Sequence, residues 1–295
     1  IRLAYIKRKQ VNCVEFFLND FTFPSPDNDD DVTFSWHTRV CNVVQMIDDD
    51  VKVLASGGED TIIKLFKVDD MMNDEASLKK IAEINSHISS VKAMTMWKCD
   101  KSGDVLIITA GGRAQIVVTR LIGMTYVKEE VNFMLTNSLT LGNAKQSTFD
   151  PETRFMSLHF DHASEFLFVG CSDGYLRAFK LIKSDSSTSL RLMIESYYGK
   201  CILQVYALSK SFVLTMATDG IVCFWHFDDG KLSIKLIDKL HHNQNGINSF
   251  DVYNVAKNRY TIATAGDDCG IFITEFEIAA NAIKFNKKTI HSYAA

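Results

Sequence analysis

The stretch at residues 212–227, FVLTMATDGIVCFWHF, limits what this chain can become more than any other. Two apolar runs of strand length, rich in β-branched and aromatic residues, flank Ala217-Thr218-Asp219-Gly220. Asp-Gly between two such runs is a strong hairpin signal, because the turn needs positive φ and glycine adopts it without steric cost. The second run carries Phe224-Trp225, which places the tryptophan six residues after Asp219.

The chain repeats this pattern. Residues 53–60 lead into 61–66, residues 106–113 into 114–119, residues 166–173 into 174–179, and residues 261–268 into 269–274. The turn positions 60, 113, 173, 219 and 268 are 53, 60, 46 and 49 residues apart. An aromatic residue follows the turn position by six in three of the five units, at Phe66, Phe179 and Trp225. A histidine precedes it in three: His37 by 23 residues, His87 by 26 and His242 by 26. Each period holds four runs too short for helices. Four-stranded units of this kind cannot bury both faces alone, so they stack radially as a β-propeller of WD-repeat type.

The expected fold is therefore all-β: a WD-repeat β-propeller with five recognisable four-stranded blades, part of an incomplete seven-bladed propeller in a longer, multi-propeller protein. The blades are expected at about residues 36–84, 85–122, 155–196, 200–238 and 241–287. A leading strand and acidic loop occupy 1–35, a long insertion 121–154, and the start of a further blade 291–295. In such blades a buried turn carboxylate must be satisfied by the upstream histidine and by turn N–H groups. His37, Asp60, His87, Asp173, Asp219, Trp225, His242 and Asp268 are accordingly read as structural repeat residues. The set is degenerate, with Arg113 in place of the aspartate and Thr119 and Thr274 in the aromatic slot.

Composition narrows the function. The net charge is −4, and residues 27–75 alone hold thirteen acidic side chains against four basic ones. A pI near 6.1 is far below the ~9 expected of a self-sufficient nucleic-acid binder. Any contact with nucleic acid needs a local patch or a basic partner. Seven cysteines without a C-x-x-C pair argue against a disulfide framework or zinc site and for a reducing, cytoplasmic setting. No apolar run approaches a membrane span, and no leader-like segment opens the chain, which begins at Ile1 and reads as an excised piece of a longer protein. No P-loop or G-x-G-x-x-G stretch offers a phosphate cradle, and no hydrolase elbow is expected. His159-Phe160-Asp161-His162 with Glu165 is the best metal-like cluster, but positions 159 and 162 of a strand face opposite sides. No metal, no cofactor and no catalytic residues are expected.

From Asp150 onward the sequence is more specific than a generic repeat. DPETRFMSL (150–158), GCSDGYLRAFKL (170–181), KCILQVYAL (200–208), ATDGIVCFW (217–225) and NGINSF (245–250) resemble, in that order, the C-terminal propeller of the family of WD repeat-containing protein six. That family is the partner of an FtsJ-like tRNA 2′-O-methyltransferase. The resemblance implies a non-catalytic cytoplasmic adaptor that docks the methyltransferase and presents the tRNA anticodon stem-loop for methylation of the wobble ribose. S-adenosylmethionine is then bound by the enzyme, not by this chain. Lys145, Asp150, Glu152 and Arg154, on or beside the long insertion, are the expected partner or RNA contacts. The competing expectation is a WD-repeat scaffold for protein assembly without an RNA role, which the acidic balance favours because RNA affinity rests on phosphate neutralisation.

Overall fold

A computed structural model describes residues 2–7, 10–15, 37–47, 52–68, 78–99, 102–135, 152–162, 164–183, 188–209, 211–279 and 282–292. The chain divides into two units, Ile1–Trp36 and His37–Ala295. In the first, β1 (Arg2–Lys7) and β2 (Gln10–Glu15) form an antiparallel pair. The Asp27–Asp31 loop lies outside the described residues.

The second unit holds five four-stranded antiparallel sheets among the described residues. The first is β3 (Cys41–Ile47), β4 (Val53–Gly58), β5 (Ile63–Val68) and β6 (Leu78–Ile84). The second is β7 (Val91–Lys98), β8 (Val105–Gly111), β9 (Gln115–Ile122) and β10 (Tyr126–Met134). The third is β11 (Phe155–Asp161), β12 (Phe166–Cys171), β13 (Tyr175–Lys183) and β14 (Thr188–Tyr197). The fourth is β15 (Ile202–Ser209), β16 (Phe212–Ala217), β17 (Ile221–Asp228) and β18 (Ser233–His241). The fifth is β19 (Ile247–Ala256), β20 (Arg259–Gly266), β21 (Gly270–Ala279) and β22 (Ala282–Ser292). Within each, the strands pair in sequence order.

The central hairpins share one register. Gly57 pairs with Ile63, Ala110 with Ile116, Gly170 with Leu176, Met216 with Val222 and Ala265 with Ile271. Each turn is thus centred on the position read from the sequence: Asp60, Arg113, Asp173, Asp219 or Asp268. The next residue has positive φ in all five, at Thr61 (67°), Ala114 (48°), Gly174 (85°), Gly220 (75°) and Cys269 (56°). Only the third and fourth sheets meet that demand with glycine, where it costs no steric strain.

First strands of consecutive sheets lie against one another, β3 with β7, then β11, β15 and β19, and fourth strands do the same. These are propeller blades set side by side, in a row that is not closed. The second strands β8, β12 and β16 are buried along their whole length, because a neighbouring sheet covers each face. The buried apolar residues form clusters that straddle adjacent sheets. Leu65 and Ile107 share one, Ile116 and Phe179 a second, Phe168 and Trp225 a third, and Phe224 and Phe276 a fourth.

Two sequence expectations change. The segment Tyr126-Val127-Lys128-Glu129-Glu130, read as part of the insertion, begins the fourth strand of the second blade. Its Glu130 sits at a bulge and takes a bidentate bond from Arg120 (2.6 and 3.2 Å) and one from Thr188 Oγ1 of the next blade (2.8 Å). The interruption of the repeat shortens to residues 136–151, outside the described residues. At the other end, His291 and Ser292 pair with Ile271 and Gly270. They complete the fifth blade rather than beginning another.

Candidate functional site

The turn aspartates show what holds each blade end. In all four Asp-bearing turns a carboxylate oxygen accepts the N–H two residues on: Ile62 (3.4 Å), Tyr175 (3.2 Å), Ile221 (3.3 Å) and Gly270 (3.1 Å). This is the local Asx bond that makes aspartate a turn former. The remaining acceptor capacity is filled differently in each blade. In the first, His37 bridges Asp60 and Ser56 at 2.8 Å each, and the Thr38 N–H donates to Asp60 at 3.0 Å. Burial works against the charge of Asp60, but these donors hold its carboxyl below the usual value.

The fifth blade departs from that scheme. His242 bonds Thr264 (2.8 Å) and Thr274 (2.6 Å), so the threonine in the aromatic slot has a polar function. Asn243 and the Gln244 N–H serve Asp268 instead, at 2.8 and 2.6 Å. In the fourth blade Tyr198 takes the histidine's place, donating its hydroxyl to Asp219 at 2.6 Å, while Trp225 Nε1 donates to Thr215 at 2.9 Å. In the third, Thr153 donates to Asp173 (3.3 Å), and the buried Arg177 forks onto both Asp173 oxygens (3.0 and 2.7 Å) and onto Glu195 (2.6 Å). Cys171 beside it has its thiol pushed up to about 12 by burial and stays neutral.

The second blade has no turn acid. His87 reaches Thr109 at 2.7 Å. Gln115 accepts the Ile88 N–H at 2.9 Å, as Asp60 accepts that of Thr38. Its amide donates to Ser86 O (2.9 Å) and Asn132 (2.8 Å). With the acceptor moved two residues along, Arg113 has no structural duty at the turn centre. It stands exposed at φ 57°.

The turns of the first two blades and the loops before β3, β7 and β11 line a groove of about 450 Å³, formed by Arg39, Glu59, Thr61, Ser89, Ser90, Lys92, Gly112, Arg113, Glu152 and Arg154. Gly112 is required there, because a Cβ would overlap Ser89. Two of the four expected contact residues, Glu152 and Arg154, therefore share one concave surface. Lys145 and Asp150 lie outside the described residues. The strand alternation at the entry to β11 explains the arrangement. Thr153 and Phe155 are buried, so Glu152 and Arg154 point outward. Arg154 is held at its backbone, donating to Ser172 Oγ (2.8 Å) and accepting the Ser172 N–H (2.9 Å).

Two sequence features are settled structurally. Gly170-Cys171-Ser172-Asp173-Gly174 spells the G-x-S-x-G of a hydrolase elbow, a match the sequence expectation passed over. It forms a β-hairpin turn between β12 and β13, not a strand-to-helix elbow, and Ser172 faces the Arg154 backbone rather than a base. His159 packs on Tyr206 of the fourth blade (centroids 4.6 Å) and His162 on Trp97 of the second (4.9 Å). They serve opposite neighbours. Among the described residues no three metal-ligating side chains converge, and no helix is long and apolar enough to cross a membrane.

Burial lowers the pKa of His87 and of His159 from 6.5 to about 4. The unfolded chain therefore takes up these protons first, and stability falls as pH drops from about 6.5 towards 4. The limit is on the order of 3 kcal/mol per residue. Replacing His159→Phe flattens this slope in urea midpoints measured between pH 4.5 and 7. An unchanged slope in this variant and in His87→Gln refutes the assignment.

Turn-centred aspartates with polar partners reaching in from the preceding loop, on side-by-side four-stranded sheets, define a WD-repeat propeller protein. No known family profile matches the chain. It is 27% identical over 302 residues to the tRNA (34-2'-O)-methyltransferase regulator WDR6 of Drosophila melanogaster, covering 96% of this chain and 28% of that protein. It is 27% identical over 229 residues to the regulator of the same name in Mus musculus (63% of this chain, 20% of that protein). Against that of Rattus norvegicus the identity is 25% over 214 residues (59% and 19%). By fold and by these likenesses the chain is a WD-repeat protein similar to WDR6. It spans less than a third of the length of these curated relatives.

Proposed function

We propose that this chain is part of a non-catalytic cytoplasmic regulator of tRNA 2′-O-methylation. It binds an FtsJ-like methyltransferase and positions the anticodon stem-loop so that the wobble ribose is methylated. The observation that carries this reading is the likeness to the fly regulator along 96% of the chain, which is more than a shared repeat. The side-by-side sheets bring turns and loops of the first three blades together on one groove, and loops carried on a sheet scaffold are suited to binding macromolecules.

The test uses the full-length protein. Affinity capture is expected to recover an FtsJ-like methyltransferase, and removing the gene is expected to abolish most 2′-O-methylation at position 34 of the client tRNAs. Capture without the enzyme, together with unchanged methylation, supports the scaffold reading instead. That reading draws on the net charge of −4.

A further inference from the structure

We propose that the groove across the first three blades is a track for the phosphodiester backbone of an extended RNA strand, with Arg39, Arg113 and Arg154 as its phosphate-binding residues. The inference rests on the function proposed above and names the surface that performs its RNA-positioning half.

Three observations carry it. First, Arg39, Arg113 and Arg154 are exposed and line one groove, each from a different blade. Among the described residues none of the three has an ion-pair or side-chain hydrogen-bond partner. The other cation, Lys92, is 3.8 Å from Glu59 and bonds Asn42 at 3.4 Å. With Glu59 so engaged, three guanidiniums outweigh Glu152, which makes the groove locally basic on a chain that is acidic overall.

Second, all three arginines are mounted on fixed backbone. Beside Arg39, the Val40 carbonyl accepts the Glu59 N–H (2.9 Å) and the Thr38 N–H is tied to Asp60. Arg113 follows Gly112, whose N–H bonds Ser90 O at 3.0 Å, and Arg154 is bonded in both directions to Ser172. In the second blade Gln115, not the turn-centre residue, accepts the N–H of the preceding loop, and the turn centre carries a cation, Arg113.

Third, the lining is charged, hydroxyl-bearing or glycine, with no aliphatic or aromatic side chain. The buried core of a protein interface is on average more apolar than the rest of the surface, and this groove offers a peptide no aliphatic or aromatic side chain. Guanidiniums interspersed with Ser89, Ser90 and Thr61 match phosphate and ribose oxygens, which take most contacts in nucleic-acid complexes. Packed sheets stand about 10 Å apart, so cations from three successive blades form a track rather than a cage for one anion.

The experiment compares the full-length protein, bound to its methyltransferase, with the variant carrying Arg39→Gln, Arg113→Gln and Arg154→Gln. Fluorescence anisotropy with labelled tRNA is read across a salt series, and enzyme co-purification is scored in parallel. Losing three contacts to single-stranded phosphates is expected to lower the slope of log K against log salt by about 2 and to weaken binding at least ~10-fold at low salt. Methyltransferase capture is expected to be unchanged, and Arg154→Lys alone to keep the wild-type slope. An unaltered slope and affinity overturn the proposal. So does loss of the enzyme with RNA binding intact, which makes the groove a protein-docking surface. If the wild-type complex neither contains the enzyme nor binds tRNA, the functional reading itself falls.

Discussion

Replacing Arg177→Met is expected to cost about 3–5 kcal/mol of stability, the order measured when one partner of a buried ion pair is removed. Arg177 is 1% exposed and is the shared counter-charge of Asp173 and Glu195, whose side chains are 13% and 7% exposed. Without it two carboxylates stay buried near one another, and relief requires either protonation or opening of the third blade to water. Lysine is no substitute, because one ammonium lacks the planar fork that reaches both acids. Adding Glu195→Gln to Arg177→Met is expected to recover part of the loss, since one of the stranded charges is then gone. Urea midpoints of the three proteins decide the matter. A shift in Arg177→Met equivalent to less than about 1 kcal/mol, the scale of an exposed pair, refutes the assigned role.

The second large effect lies one blade further on. Trp225 is 1% exposed and packs with Phe168 of the third blade and Val213 of its own. Replacing Trp225→Ala is expected to cost about 3–5 kcal/mol, from lost transfer energy and the cavity left behind. Trp225→Phe keeps most of the packing and copies the residue that the first and third blades use, Phe66 and Phe179. It still deprives the buried Thr215 hydroxyl of the indole N–H, for which a penalty of about 1–3 kcal/mol is expected. Adding Thr215→Val to Trp225→Phe removes the stranded hydroxyl and is expected to return most of that difference. Thermal unfolding of the series tests the ordering, and equal destabilisation by Trp225→Phe and Trp225→Ala contradicts it.

The five turn centres were legible in the sequence because they depend on local chemistry. Four of them are an Asp between two apolar runs, followed in two cases by glycine, which is visible without knowing the fold, and the Arg113 turn follows from the register of the other four. The partners of those aspartates were less so. The physical requirement is a donor at a fixed point in space, and Tyr198, Asn243, Thr153 and Arg177 all supply one from different positions along the chain. A search for histidine at fixed spacing finds His37 and misses these. It also assigns His242 to Asp268, whereas that ring bonds two threonines and its neighbour Asn243 serves the acid. The strand Tyr126–Met134 escaped for another reason. Five of its nine residues are Lys, Glu, Asn or Tyr with one bulge at Glu130, so its alternation is broken. Of the groove, the sequence indicated Glu152 and Arg154 through an unusual segment before β11. Arg39 and Arg113 emerge only once three blades stand side by side.

The clusters that straddle adjacent sheets carry a consequence for how damage spreads. Five blades share four such clusters, so stability resides in the seams rather than in the blades, as in a one-dimensional chain of nearest neighbours. A defect in the third blade weakens two seams at once, whereas one in the fifth weakens a single seam on this row. The three arginines ride on the first three blades, on either side of two consecutive seams. Loosening either seam misaligns that trio without altering any of its members, and substitutions far from the groove then pass for defects in recognition.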